Sequence, residues 1–365
     1  DYQARAPFNS YLNHAYQYIS VANPRAAMPC PVFTQTYQQL VIQGTRKPNP
    51  TIADIIAPFE LIHPQSKKAV LLVHGLTDSP FTYHDLAQVY YQQGYTVRTI
   101  LLPGHGSAAS ALQDVDLQQW QQAVRYAIER TAQDFDEVIL GGYSTGAALL
   151  IDYAITQALS SKITALMLFS PGSEPHNKQG WMAKWLDLIP FLNWIDKDAD
   201  VDFAKYESFP LNAAAASHDA MSLVSIKNLS KRPALALPIF SVISDIDATI
   251  DSHATLKLLN ALHNTNLSRY KKLDTLVLYG SSTILPPNFA ADYRVLNPQC
   301  ASEACLKIHG ISHIAIVNSP QNPHYGISAS YRNCGSFIGG EKLYKTCKTT
   351  KSPQFGERTA ANLKQ

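Results

Sequence analysis

The chain contains 365 residues, of which 46% are hydrophobic and 16% charged, so it can bury a large core and is not disordered as a whole. Its 30 Lys and Arg residues almost balance its 28 Asp and Glu residues, and no basic run exceeds two residues, which argues against a surface for nucleic acid or an anionic membrane. No apolar stretch reaches the roughly 18 residues that a membrane-spanning helix needs, so we expect no transmembrane segment.

Hydrophobic patterning divides the chain into regions of different character. Residues 1–50 are rich in Tyr, Gln, Asn and Pro without a sustained period, which predicts an extension that packs onto a core. From Lys67, apolar runs typical of buried parallel strands alternate with helical segments, which predicts an α/β fold with a doubly wound, mostly parallel sheet. The predicted strands are 69–73, 96–102, 137–140, 163–169, 238–243 and 275–279, and the predicted helices are 80–94, 116–131, 144–159 and 254–262.

The sequence GYSTG at 142–146 lies between a predicted strand and a predicted helix and matches the pattern G-x-S-x-G. A nucleophilic serine must protrude from a tight strand-to-helix turn, and its neighbours must be small because the backbone passes close by. An ordinary helix cap would also explain a serine here, but chance produces the pattern only about 0.06 times in a chain of this composition. The pattern therefore predicts that Ser144 is a nucleophile.

A serine hydroxyl needs a base to activate it and an acid to orient that base. The acid is expected on the loop after the strand at 238–243, where Asp245, Asp247 and Asp251 lie. Asp251 is explained as the N-cap of the next helix. Asp247, in the middle of the loop, is our candidate, and Asp245 is the alternative.

The base is expected after the last predicted strand, because His253 and His263 come too early in the chain. His309 extends an apolar run and is expected to pack, whereas His313 follows a Gly and Ser turn and is our candidate. The four-residue spacing of the two histidines does not predict a metal site, since Gly310 weakens the helix that such a site requires.

Two N–H groups should stabilise the negative oxygen that forms when the nucleophile attacks a carbonyl. We expect one from Thr145, directly after the nucleophile, and the other from Leu76, in the loop after the first clear strand. We interpret His74 as structural and His105, between two glycines, as a turn residue.

Three motifs resemble those of the α/β-hydrolase superfamily, in particular its carboxylesterase and monoacylglycerol-lipase-like branch: HGLTDSP at 74–80, LPGHG at 102–106 and GYSTG at 142–146. In that branch the acid lies in a G-x-x-D-x-x-V-like loop, which residues 244–250 match with Ser in place of Gly. The resemblance implies a serine hydrolase that cleaves small-molecule or lipid esters through an acyl-Ser144 intermediate, without a cofactor. A serine peptidase or thioesterase would use the same residues, and a non-catalytic binding protein is a further alternative.

The resemblance also implies a helical cap inserted after the sixth strand of the family's fold, which here corresponds to the run at 163–169, where the strand signal stops. Within this cap, Trp181, Trp185 and Ile189 recur at helical spacing and predict one apolar stripe. The stripe either packs the cap onto the core or forms an acyl-binding wall with Trp181 and Trp185 as substrate-binding residues. The predicted divisions are an N-terminal extension (1–60), the hydrolase core (61–171 and 236–320), the cap (172–235) and a C-terminal tail (321–365).

Five cysteines bear on the compartment in which the protein works. Cys300 lies near Cys305, and Cys334 lies near Cys347, in segments with few apolar residues where a disulfide would contribute most. Two disulfides with Cys30 as the odd thiol are one interpretation, and five reduced cysteines are the other. Together with an N-terminus that lacks an initiator Met, the first interpretation predicts a periplasmic or secreted protein.

Overall fold

The structure, a computed structural model, describes residues 6–176, 193–197, 202–298, 310–326 and 329. In these residues an eight-stranded sheet lies between helices on both of its faces, and two further strands form a separate short pair. The predicted α/β class with a mostly parallel sheet is confirmed.

The described elements are numbered here in chain order. The strands are β1 (Glu60–Leu61), β2 (Lys68–Val73), β3 (Thr96–Ile100), β4 (Glu137–Tyr143), β5 (Ile163–Phe169), β6 (Trp194–Asp196), β7 (Phe209–Pro210), β8 (Ile239–Ser244), β9 (Thr275–Tyr279) and β10 (Arg294–Leu296). The helices are α1 (Phe8–Ala22), α2 (Gln35–Ile42), α3 (Ile52–Ile56), α4 (His84–Gln92), α5 (Leu117–Asp134), α6 (Thr145–Thr156), α7 (Leu211–Leu223), α8 (Ile226–Leu229), α9 (Ser252–Thr265) and α10 (Ser268–Lys271). None of these described helices is both long and apolar enough to cross a membrane.

The strand order in the large sheet is β1-β3-β2-β4-β5-β8-β9-β10. Only β1 runs antiparallel to its neighbour, and every other pair in this sheet is parallel. The chain moves outward from β2 to β3 and then returns to β4 on the other side of β2. In doubly wound proteins, ligands bind in the crevice at such a reversal, which here lies at the carboxyl ends of β2 and β4.

The strand β2 explains why the predicted runs are apolar without alternation. Leu71 and Val73 pack into a cluster with Trp120 of α5, on one face of the sheet. Val70 and Leu72 pack on the opposite face, with residues of α2 and α4. Both faces of β2 are therefore shielded from water. Each of these four apolar side chains stabilises the fold by about 1.5–3 kcal/mol through burial.

The predicted strands and helices between residues 67 and 279 are all present, with small differences at their ends. The sequence did not indicate α1, α2 and α3, which lie in a region without a clear period. Of the 15 residues of α1, only Phe8, Ala15 and Ile19 are buried, so its apolar stripe is too narrow to stand out. The two-residue strand β1 is too short to carry a pattern.

A buried cluster around Asp202 joins segments that are far apart in sequence. The fully buried Asp202 accepts hydrogen bonds from His324 Nε2 at 2.8 Å and from the Tyr325 hydroxyl at 2.7 Å, and its backbone oxygen accepts one from Arg25. Burial alone would raise the pKa of the Asp202 carboxyl, but the charge and the hydrogen bond of His324 hold it below its ordinary value. The cluster therefore ties the segment before β7 to residue 25 and to residues 324–325.

Candidate active site

Ser144 occupies the sharp turn between β4 and α6. Its backbone angles are φ 54° and ψ −123°, a conformation that residues other than glycine rarely adopt. The Ser144 N–H donates to the carbonyl of Phe169 at the end of β5, and the Ser144 carbonyl accepts from the N–H groups of Ala147 and Gly172. These hydrogen bonds hold the strained turn at the carboxyl end of the sheet, beside the crevice between β2 and β4.

Gly142 and Gly146 are required because backbone approaches closely on either side of this turn. A Cβ on Gly146 would lie 2.1 Å from the carbonyl oxygen of Val73, and one on Gly142 would lie 2.6 Å from the Cα of Ala147. Both contacts are with backbone, which cannot swing aside as a side chain does. The small residues of the pattern therefore allow α6 to pack against the end of β2.

We expect Gly146→Ala to destabilise the fold by about 3 kcal/mol or more, because the end of β2 must move to admit the methyl group. The measurement is the free energy of unfolding, from a denaturant titration followed by circular dichroism. Gly44→Ala is the control, since a Cβ there meets open space and only the positive φ of 71° opposes it, by about 1 kcal/mol. Equal losses in the two variants would contradict the steric explanation.

His313 and Asp247 form a hydrogen-bonded pair, with 2.7 Å between His313 Nδ1 and Asp247 Oδ2. The N–H groups of Thr249 and Ile250 donate to the other carboxylate oxygen at 2.8 and 2.9 Å. Burial alone would raise the pKa of the Asp247 carboxyl, but the charge and the hydrogen bond of His313 hold it below its ordinary value. Because an ionised carboxylate only accepts, His313 Nδ1 carries the proton and Nε2 is the basic nitrogen.

The ring of Tyr143 positions this pair relative to the nucleophile. Its centroid lies 4.8 Å from that of the His313 ring, and the two planes are inclined by 36°. Tyr143 is the residue before Ser144, so the contact places the imidazole against the turn that carries the serine. The structure thus pairs the predicted base with the predicted acid and brings the base into contact with the residue before the predicted nucleophile.

The other two carboxylates of the loop after β8 have partners elsewhere. Asp245 Oδ2 accepts a hydrogen bond from the Ser281 N–H at 2.7 Å, which fixes the turn after β9. Asp251 accepts from the Ala254 N–H at 3.0 Å and caps α9. Of these three carboxylates, Asp247 is the one that the described contacts pair with a histidine.

The loop after β2 is held in place by two buried histidines. His74 Nε2 accepts a hydrogen bond from the Leu102 N–H at 3.1 Å, and His105 Nε2 accepts one from the Thr77 N–H at 3.2 Å. Burial lowers the pKa of His74 far below its ordinary value and that of His105 to about 4, so both rings are neutral at neutral pH. These rings therefore act as fixed acceptors that position the loop.

The predicted N–H donors Leu76 and Thr145 lie on the two elements that flank Ser144. Thr145 is the first residue of α6. Leu76 belongs to the loop after β2, which lies beside the nucleophile, since a Cβ on Gly75 would be 3.0 Å from the Ser144 Cβ. That these two N–H groups stabilise an oxyanion stays a prediction, and so do the catalytic roles of Ser144, Asp247 and His313.

The segment between β5 and β8 contacts this site through residues that the sequence did not single out. The Ser217 hydroxyl of α7 lies 2.7 Å from the Thr145 hydroxyl. The Tyr206 N–H donates to the carbonyl of Thr77 at 2.9 Å, so the segment between β5 and β8 also holds the loop after β2. No motif marks Tyr206 or Ser217, because their importance arises only from contacts between distant segments. Trp181 and Trp185, predicted to bind substrate, and His309, predicted to pack, lie outside the described residues.

The sequence is similar to proteins of one hydrolase family. A family model described as serine aminopeptidase, S33, matches residues 64–273, more than half of the chain. A thermostable monoacylglycerol lipase from Bacillus sp. (strain H-257) is 32% identical over 82 residues, which are 22% of this chain and 33% of that protein. The chain therefore matches this curated relative over about a third of the relative's length.

The fold is similar to a solved structure reported for LipS and LipT, two metagenome-derived lipolytic enzymes. The TM-score is 0.53 at 17% sequence identity, and the alignment covers 73% of this chain and 93% of that chain. The likeness at this identity is one of fold, and it agrees with the motifs and with the family match. The chain belongs to the serine aminopeptidase S33 family of α/β-hydrolases.

Proposed function

We propose that this protein is a serine hydrolase that cleaves carboxylic esters through an acyl-Ser144 intermediate. The observation that carries the proposal is the 2.7 Å hydrogen bond between His313 Nδ1 and Asp247 Oδ2, in a pair that packs on Tyr143, the residue before a serine on a strained strand-to-helix turn. A base oriented by an acid beside such a serine supports nucleophilic attack on an acyl carbon.

In the first half of the proposed reaction, His313 Nε2 accepts the hydroxyl proton while Ser144 Oγ attacks the ester carbon. The N–H groups of Leu76 and Thr145 stabilise the oxyanion. His313 then passes the proton to the leaving alcohol, and the acyl group remains on Ser144. In the second half His313 activates a water molecule, which releases the acid and restores the serine hydroxyl. Every step uses groups of this chain, the substrate and water, so no cofactor enters the scheme.

The similar proteins point to two classes of substrate. The matched relative is a monoacylglycerol lipase, which supports an ester of a fatty acid. The description of the family names an aminopeptidase, which favours hydrolysis of an aminoacyl amide as the second candidate. The same nucleophile, base and oxyanion donors serve both reactions, so the chemistry of the acyl-serine does not separate them.

Two measurements test this proposal. A fluorophosphonate probe should label the protein stoichiometrically, and mass spectrometry should place the label on Ser144. Turnover of p-nitrophenyl esters of increasing acyl length should then exceed turnover of aminoacyl p-nitroanilides. Faster cleavage of the anilides would favour the aminopeptidase candidate, and absence of both labelling and turnover would overturn the proposed function.

We also propose that the protein works in the periplasm or outside the cell, with disulfides between Cys300 and Cys305 and between Cys334 and Cys347. Those four cysteines lie outside the described residues, and the described Cys30 is unpaired. Burial raises the pKa of the Cys30 thiol to about 11, so it reacts slowly in the folded protein. Closing two short loops would stabilise each segment by about 2–3 kcal/mol.

Alkylation of the denatured, non-reduced protein followed by mass spectrometry is therefore expected to reveal one free thiol, at Cys30. Reduction before alkylation is the control and should reveal all five cysteines. Five free thiols without reduction would overturn the disulfides and the compartment together.

A further inference from the structure

Asp78 is a buried carboxylate beside the nucleophile that the proposed reaction does not use. It lies in the loop after β2, two residues beyond Leu76, and only 7% of its surface is exposed. Asp78 Oδ2 lies 2.8 Å, and Ser144 Cβ 3.0 Å, from the position that a Cβ on Gly75 would occupy. The carboxylate and the serine are therefore close neighbours across Gly75.

No donor within the described part of the chain makes a hydrogen bond to the Asp78 carboxylate, although its own N–H donates to the carbonyl of Gly75. Asp78 is largely buried, but its carboxylate oxygens are not fully enclosed, so they are open to a donor that enters from solvent. Burial raises the pKa of the Asp78 carboxyl to about 6. The charges of Lys205 and His313 act to lower this pKa, whereas the charge of Asp202 acts to raise it. At neutral pH the group is mostly ionised and able to accept a hydrogen bond.

The loop does not depend on the Asp78 carboxylate for its shape. His105 accepts from the Thr77 N–H, and the Tyr206 N–H donates to the Thr77 carbonyl, so the backbone next to Asp78 is held on both sides. Ser79, the N-cap of the short helix Pro80–Tyr83, follows without any side-chain cap hydrogen bond. The position of this carboxylate is therefore better explained by a group that enters the crevice than by a partner in the fold.

We propose that Asp78 is a specificity-determining residue that accepts a hydrogen bond from a donor group on the substrate, close to the scissile carbonyl. The inference rests on the proposed function, because it assumes that an acyl group is bound at Ser144. Two donors fit a buried carboxylate: a hydroxyl on the alcohol side of an ester, or an ammonium on the acyl side. Either donor would satisfy Asp78 in the complex, whereas a substrate without one leaves the carboxylate unpaired.

Two pairs of esters, each differing by the donor group, test the inference. Monobutyrin and ethyl butyrate share an acyl group, and only the first carries hydroxyls on its alcohol. Alanine ethyl ester and ethyl propionate share a carbon skeleton, and only the first carries an α-ammonium. We expect kcat/KM to favour the donor-bearing member of one pair by at least about tenfold, and the pair that shows this identifies the donor.

Asp78→Asn should reduce that preference by about tenfold or more, chiefly through KM, because an amide is a weaker acceptor than a carboxylate. Asp152→Asn is the matched control, a buried carboxylate of α6 that accepts from Gln121 away from the crevice, and it should leave the preference unchanged. Wild-type hydrolysis of all four esters without a preference in either pair would overturn the inference while the proposed function stands. An equal loss on both members of the favoured pair in Asp78→Asn would also overturn it, since that result indicates a structural role.

Discussion

Ser144→Ala is expected to lower kcat/KM for ester hydrolysis by about 10⁴-fold or more while the fold remains intact. The substitution removes the oxygen that attacks the ester carbon, so the acyl-enzyme route is lost and only the residual effect of binding and oxyanion donors remains. It keeps the Cβ that already occupies the strained turn at φ 54°, and it leaves the backbone hydrogen bonds of that turn in place. The measurement is steady-state turnover of a p-nitrophenyl ester.

The thermal midpoint of this variant serves as the control for folding and should stay within a few degrees of the wild-type value. Fluorophosphonate labelling should disappear with the hydroxyl. Turnover of Ser144→Ala at the wild-type rate, with its fold intact, would exclude Ser144 as the nucleophile and with it the proposed mechanism.

Asp247→Asn should lower kcat by about 10³- to 10⁴-fold, because an amide in place of the carboxylate disturbs the tautomer of His313 and removes the charge that stabilises the imidazolium. The side chains have nearly the same shape, so the loop after β8 should persist. The measurement is kcat for the same p-nitrophenyl ester, with circular dichroism as the check on folding.

Asp245→Asn is the matched control on the same loop. Asp245 accepts from the Ser281 N–H, so its substitution should lower stability by about 1 kcal/mol and change kcat little. The reverse order of effects on kcat would assign the acid to Asp245 in spite of the observed pairing.

The central sheet could be predicted from the sequence because its strands are buried on both faces. In β2, successive residues from Val70 to Val73 pack into clusters on opposite sides, and the sequence shows an unbroken apolar run with a sharp end at His74. Where burial is one-sided and narrow, as in α1, three Tyr residues lie among Asn, Ser, His and Gln, and no clear hydrophobic period predicts the helix. An element with a wide buried face was thus predictable from the sequence, and one with a narrow buried face was not.

The tight turn that carries Ser144 was also predictable, because the close approach of Gly146 to Val73 requires a glycine at a fixed position in the local sequence. Local sequence left Asp245 as an alternative to Asp247, since both follow β8 and what separates them is a partner far along the chain. Ser281 lies 36 residues after Asp245, and His313 lies 66 residues after Asp247. Contacts at such distances leave no local pattern, which is also why the roles of Tyr206 and Ser217 were not predicted.

The buried cluster around Asp202 has a consequence for how the protein is made. His324 is 122 residues further along the chain than Asp202, and a ribosome that adds about 5–20 residues per second exposes it on the order of ten seconds later. Until then the Asp202 carboxylate lacks the side chains of His324 and Tyr325, although the described strands of the sheet, the last of which ends at Leu296, have already been synthesised. A nascent chain therefore synthesises these strands before the partners of the buried Asp202 carboxylate exist, and in that interval a chaperone would encounter strands ready to form the sheet together with an unpaired internal charge.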